Sequence, residues 1–271
     1  MKIRILAAVV LLPLLLAVVL FLPKIVTAIL FGAICAVGAR ELLKGTGLVK
    51  HPRLTTYSMI MAFFVAIWSG MWSVYPLVLL GMFVFFCILF AEVLISHMEV
   101  SFTEVAISVM GGFVIPFLLS ATVRLHNQEQ GRVLILLPFV ISFLSDTSAY
   151  FAGRFLGKHK LAPKISPKKT VEGLIGGVAG SVIGVVVYCA VLEKVWGFSV
   201  NGLYIPVYGI LGSLAAVFGD LCFSAVKRQT GIKDYGNLIP GHGGVLDRFD
   251  SMVVVAPLVE LLMLYIPMVV K

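Results

Sequence analysis

Charge is what this chain has least of. Only 13% of its 271 residues are Asp, Glu, Lys or Arg, against roughly a quarter in soluble domains, while 60% are hydrophobic and the mean hydropathy is +1.07. A chain so composed cannot hide its apolar surface in one water-facing core, which excludes a soluble globular protein and implies an integral membrane protein. Acids are scarcer than bases, 13 against 21, for a net charge of +8. Cysteine is sparse as well. Cys35, Cys87, Cys189 and Cys222 lie apart in apolar stretches with no C-x-x-C pair, which argues against a zinc site or a disulfide framework and leaves them as small apolar fillers. Strict apolar–polar alternation is missing too, so a closed β-barrel is excluded. No low-complexity tract or inverted repeat is visible.

What is present is long apolar sequence. Ile5–Leu22, Leu54–Ala91, Val105–Val123, Gly173–Leu192 and Val195–Gly219 carry no charge, and a helical span needs about 20 residues. Leu54–Ala91 is too long for one span and turns near Ser69–Pro76. The pattern predicts an all-α polytopic protein of about nine transmembrane helices, near 5–22, 25–44, 54–70, 75–95, 104–123, 133–156, 171–193, 204–226 and 246–269. Met1-Lys-Ile-Arg4 and the apolar run behind it read as a first span rather than a cleaved leader, because no small-x-small site follows. Residues 1–130 are expected to form a helical scaffold with possible oligomer contacts, and 131–271 a catalytic membrane region.

Basic residues set the orientation. With a cytoplasmic N-terminus, that face receives Lys2, Arg4, Arg40, Lys44, Lys50, Arg53, the run Arg154–Lys169, Lys227, Arg228, Lys233 and Arg248. The other face receives only Lys24, Arg124, Arg132, Lys194 and Lys271. Before residue 60 the excess is explained by topology and by attraction to anionic membrane lipids, with no nucleic-acid partner implied. Gly176-x3-Gly180-x3-Gly184 is a small-residue stripe, read either as internal helix packing or as the seam of a homodimer. His51, His97, His126 and His159 are scattered near helix ends; only His242 has charged company.

The chemistry gathers in three segments on the cytoplasmic side. Asp146, Tyr150, Arg154 and Lys158 recur every four residues and form one polar stripe on a helix, either a functional site or a structural relay. Gly153–Lys158 has a superficial P-loop look but is one residue short. In the second segment Ser166 suits an N-cap and Pro167 a first helical position, so a helix is expected to start there. Lys168 and Lys169 would then sit against the positive end of its dipole, a conflict that a bound phosphate relieves; solvated or lipid-facing lysines are the alternative. In the third, Asp220 and Ser224 are one turn apart with Lys227 beyond. Asp247, Asp250 and Ser251 share a face where the last helix starts, a set of acids suited to a hard cation beside phosphate. Gly241, Gly243 and Gly244 leave room for a backbone to approach a phosphate or headgroup.

The stretch Ser224-x2-Lys227-Arg228-x4-Lys233-Asp234-x7-His242-Gly243-Gly244-x2-Asp247-Arg248-x-Asp250 resembles the C-terminal signature of the phosphatidate cytidylyltransferases, or CDP-diacylglycerol synthases. Asp146–Arg154 and Ser166-Pro-Lys-Lys-Thr-Val-Glu172-Gly resemble that family's other blocks, so the likeness spans roughly 140–251. The resemblance implies CTP + phosphatidate → CDP-diacylglycerol + pyrophosphate, with Mg²⁺ at one or two divalent sites and a monovalent cation as a further possibility. It suggests Asp220 and Asp247 as metal ligands, with Asp250 behind them. Lys168, Lys169, Lys227, Arg228 and Arg248 would grip phosphates. Asp146, Ser224, Lys233, His242, Gly243 and Gly244 would contact substrate or shape its site. Two other readings stay open: a CTP-dependent transferase acting on another membrane lipid, and an organic-anion transporter, although transporters commonly gather their polar groups at the midplane.

Overall fold

The computed structural model describes residues 13–69, 75–239, 241 and 243–270, so His242 and most of the stretch expected to turn near Ser69–Pro76 lie outside the described residues. Helices dominate: α1 (Lys24–Gly45), α2 (Pro52–Ser69), α3 (Tyr75–Ile95), α4 (Phe102–Val109), α5 (Ile115–Leu119), α6 (Ala121–Asn127), α7 (Gly131–Leu134), α8 (Leu136–Leu156), α9 (Val171–Trp196), α10 (Ile205–Gln229), α11 (Leu246–Phe249) and α12 (Met252–Tyr265), after a helical run over 13–21. Among the described residues, six helical stretches are long and apolar enough to cross a membrane: Lys24–Gly45, Pro76–Ile95, Phe102–Asn127, Gly131–Leu156, Val171–Trp196 and Gly202–Gln229.

The chain forms two compact units. The first takes in residues up to Arg132 together with Lys227–Phe249. Its best-defined helix start is that of α4, where Ser101 Oγ accepts from Glu104 N and Glu104 Oε2 accepts from Ser101 N, a capping box. Glu104 also accepts from Lys50 N at 2.8 Å and pairs with His51 Nδ1 at 2.9 Å, which ties down the connection from α1 to α2. A π-helical turn at Met110–Val114 joins α4 to α5. α1 ends where Thr46 Oγ1 donates to Leu42 O and Gly47 turns left-handed.

The second unit comprises Val133–Val226 and Asp250–Lys271. Its centre is the α8–α9 pair, and the glycine stripe belongs to this contact. A Cβ on Gly176, Gly180 or Gly184 would overlap Ala152, Ser148 or Leu144 respectively. The stripe therefore brings two backbones of one chain together, so internal packing accounts for it. Ser145 and Ser213 share a buried 2.7 Å hydrogen bond that ties α10 to α8. Ser142 Oγ reaches Met252 Sδ at 3.5 Å from α8 to α12.

Two short antiparallel pairs complete this unit, β1 (Lys160–Ala162) with β2 (Ser166–Thr170) and β3 (Ser199–Val200) with β4 (Val269–Val270). The first corrects an expectation: Ser166 and Pro167 lie in a strand, and α9 starts five residues later. The true N-cap is Thr170, whose Oγ1 accepts from Gly173 N at 3.0 Å. Local cap chemistry at Ser166 loses to pairing with the preceding strand, so Lys168 and Lys169 are outside the helix and the dipole conflict does not arise.

Two more differences follow from local breaks. α8 stops at Leu156, which removes Lys158 from the Asp146–Tyr150–Arg154 stripe; its N–H donates instead to Glu172 Oε2 at 3.0 Å. The expected last helix is split by a turn at Asp250–Ser251, between α11 and α12. Of the cysteines, Cys35 and Cys189 are buried fillers, whereas Cys87 and Cys222 are exposed.

Candidate functional site

In the second unit, residues from α8, β2, α9 and α10 enclose a cavity of about 360 Å³. Asp146, Tyr150 and Arg154 come from α8, Lys168, Lys169 and Thr170 from β2, and Asp220 from α10. The helical four-residue spacing brings Arg154 Nη1 to Tyr150 OH at 2.7 Å. Ser224 Oγ, one turn beyond Asp220, donates to its Oδ1 at 3.0 Å. Lys169 Nζ meets the other oxygen, Oδ2, at 2.6 Å as an ion pair. Asp220 is thus the counter-charge of an ammonium whose nitrogen is turned away from solvent. An ammonium has three N–H donors, so Lys169 can hold Asp220 and still offer a donor to a phosphate oxygen.

The first unit holds a loop between α10 and α11. Gly241 and Gly243 adopt positive φ, +75° and +85°, which favours glycine, and Ile239 N donates to Gly243 O at 3.0 Å. Asp247, on α11, is the clasp. Its Oδ1 accepts from Lys227 Nζ at 2.8 Å, and its Oδ2 accepts from Tyr235 N at 2.8 Å and Gly244 N at 3.0 Å. The side chains of Lys227 and Asp247 are only 10% and 2% exposed, and Lys227 also lies over the Tyr235 ring. Lys233, Asp234, Gly236, Asn237, Gly243 and Arg248 line a second, polar cavity of about 560 Å³ beside this loop.

The expected site residues thus fall into two groups. Asp146, Lys168, Lys169 and Asp220, with Ser224 behind Asp220, belong to the cavity on α8–α10; Lys227, Lys233, Gly243, Gly244, Asp247 and Arg248 belong to the loop. Arg228 is exposed on the last turn of α10, and buried Asp250 accepts from Ser251 N at 2.8 Å. Gly244 departs from the expected role of making room for ligand, because a Cβ there would overlap the carboxylate of Glu41. Glu41 was not readable as a site residue: one acid at the end of an apolar helix, some 200 positions earlier in the chain, carries no local signal.

The donors suit a hard divalent cation in one respect. Each group contains an aspartate already facing a cation, Lys169 on Asp220 and Lys227 on Asp247. Asp220, 30% exposed and with a hydroxyl beside it, could exchange ammonium for metal without loss of a backbone contact. Asp247 could do so only by giving up its partner Lys227 in a buried setting. Among the described residues no three His, Cys, Asp or Glu side chains converge, so an ion here would draw much of its coordination from phosphate and water, as Mg²⁺ commonly does.

A family model described as the cytidylyltransferase family matches residues 2–266. A protein of Staphylococcus epidermidis named phosphatidate cytidylyltransferase is 33% identical over 282 aligned residues, covering 97% of this chain and 99% of that protein. Proteins of the same name match over shorter stretches. The one from Staphylococcus saprophyticus is 34% identical over 172 residues, 63% of this chain and 62% of its own length. The one from Staphylococcus aureus is 32% identical over 175 residues, 62% of this chain and 61% of its own length.

Proposed function

Because the chain belongs to the cytidylyltransferase family, we propose that it is a nucleotidyltransferase that moves the CMP moiety of CTP onto phosphatidate. The products are CDP-diacylglycerol, which remains in the membrane for phospholipid synthesis, and pyrophosphate. The observation that carries the reading is the convergence of three cations, Arg154, Lys168 and Lys169, with the carboxylates Asp146 and Asp220 on the lining of one cavity.

In this reaction an oxygen of the lipid phosphate attacks the α-phosphorus of CTP, and the bond from that phosphorus to the pyrophosphate oxygen breaks. Both reactants are anions, so the protein's task is to neutralise and align them rather than to form a covalent intermediate. Lys168, Lys169 and Arg154 grip phosphate oxygens from one group; Lys227, Arg228, Lys233 and Arg248 supply cations from the other. Asp146 orients substrate. His242 is assigned hydrogen bonding or loop shaping rather than proton transfer, since the lipid phosphate arrives ionised. Asp220 beside Ser224 is the ligand best disposed to hold Mg²⁺, with Asp247 and Asp250 as the other carboxylate candidates; bound there, the ion would neutralise phosphate charge and stabilise the departing pyrophosphate. The experiment is incubation of detergent-purified protein with labelled CTP, phosphatidate and Mg²⁺. CDP-diacylglycerol and pyrophosphate are the expected products. Turnover only when another lipid replaces phosphatidate would reassign the acceptor.

The same reading includes about nine spans, a cytoplasmic N-terminus and a site facing the cytoplasm of a bacterial cell membrane. It is supported by the distribution of basic residues and by the bacterial origin of the relatives. In intact cells, cysteines introduced next to Lys164 and Lys233 should resist an impermeant thiol reagent, while one next to Asn127 should react. The reverse pattern would overturn the orientation.

A further inference from the structure

Glu41 is a buried carboxylate, 5% exposed, on the last turns of α1. Among the described residues it forms no ion pair. Its Oε1 accepts from Val245 N at 3.0 Å and its Oε2 from Leu246 N at 2.8 Å, the two backbone donors that lead into α11. The fit on either side is tight. A Cβ on Gly236 or on Gly244 would overlap the Glu41 carboxylate, and one on Gly45, a turn later in α1, would overlap the carbonyl of Tyr235. The end of α1 is therefore a seat into which both limbs of the 235–246 loop are pressed, and a carboxylate is the group that fills it.

Three successive N–H groups of this loop are consequently held by acids. Gly244 N is held by Asp247, and Val245 N and Leu246 N by Glu41. Asp247 and Arg248 follow directly. We infer that Glu41 is a positioning residue for the reaction: without touching substrate, it fixes the backbone from which Asp247 clasps Lys227 and from which Arg248 reaches the polar cavity. The inference rests on the proposed function, since it takes Lys227, Asp247 and Arg248 to act on phosphate. It also gives α1 a part in catalysis that an early membrane helix would not otherwise have.

Glu41→Gln keeps shape and one acceptor but turns an amide N–H₂ toward a backbone N–H. In purified full-length protein this change should lower kcat/KM for CTP about 10- to 100-fold, the scale expected when distant misplacement disturbs a reacting geometry. It should also speed tryptic cleavage after Lys233 several-fold and leave the thermal midpoint within a few degrees of wild type. Gly244→Ala, which pushes on the same carboxylate, should be damaging alone but add little once Glu41 is Ala, so the two losses should not multiply. A structural role alone would lower the thermal midpoint while leaving kinetics per folded molecule and cleavage at Lys233 unchanged. Wild-type kinetics and cleavage in Glu41→Gln, or multiplicative losses in the double variant, would overturn the inference. If wild-type protein makes no CDP-lipid, it is the functional reading that fails, and the cleavage and thermal measurements still judge Glu41.

Discussion

Asp220→Asn should reduce CDP-lipid formation by about a hundredfold or more while leaving the protein as stable as wild type. The rate effect follows if Asp220 holds Mg²⁺, because several kcal/mol of transition-state charge stabilisation can rest on such an ion. The stability effect follows from exposure. Lys169 and Asp220 keep 22% and 30% of their side chains exposed, against 10% and 2% for Lys227 and Asp247, so their pair lies nearer to the about 0–1 kcal/mol of a solvent-exposed ion pair. Asn also keeps an acceptor for Ser224 Oγ. Turnover across a Mg²⁺ titration, read beside a thermal melt, checks both halves. Near-normal turnover at all Mg²⁺ concentrations would remove Asp220 as a metal ligand.

Asp247→Asn should behave differently, with activity and stability falling together. Its carboxylate accepts one ammonium and two backbone N–H groups, and an amide cannot satisfy all three because one of its two atoms is a donor. Lys227, 10% exposed, would be left with its charge unbalanced, and breaking one side of a buried pair costs about 3–5 kcal/mol. The loop from Tyr235 to Gly244 would lose its clasp at the same time. A lowered thermal midpoint with activity loss of roughly the Asp220→Asn size is the expected outcome. Lost activity at an unchanged midpoint would mean that Asp247 acts on metal or substrate and not as a clasp.

Much of this was legible because membrane helices announce themselves locally. The runs near 25–44, 75–95 and 171–193 were readable within a few residues of α1, α3 and α9 from apolar length alone. Asp220 and Ser224 were readable as partners because one helical turn separates them. What escaped depends on distant chain. Ser166 looks like a cap until Lys160–Ala162 is available to pair with the residues after it. The glycine stripe could face any helix until Ala152, Ser148 and Leu144 are known to lie opposite. Glu41 and Gly244 explain each other only after α1 and the loop have met.

The split that separates α11 from α12 bears on how a lipid could reach polar groups. α12 has 14 residues and rises about 21 Å, roughly 9 Å less than the hydrocarbon thickness of a bilayer. Its C-terminal end carries Tyr265, 81% exposed, while its first turns are wrapped by protein at Met252, Val253, Val255 and Ala256. If this helix crosses the bilayer with Tyr265 at one interface, Asp250 and Ser251 would stand below the level of the opposite headgroups, at a depth where a bare turn is tolerated only under protein cover. In that placement the polar level would dip into the bilayer at this helix. A glycerophosphate could descend to meet water-borne reagents while its acyl tails stay in the leaflet they started from.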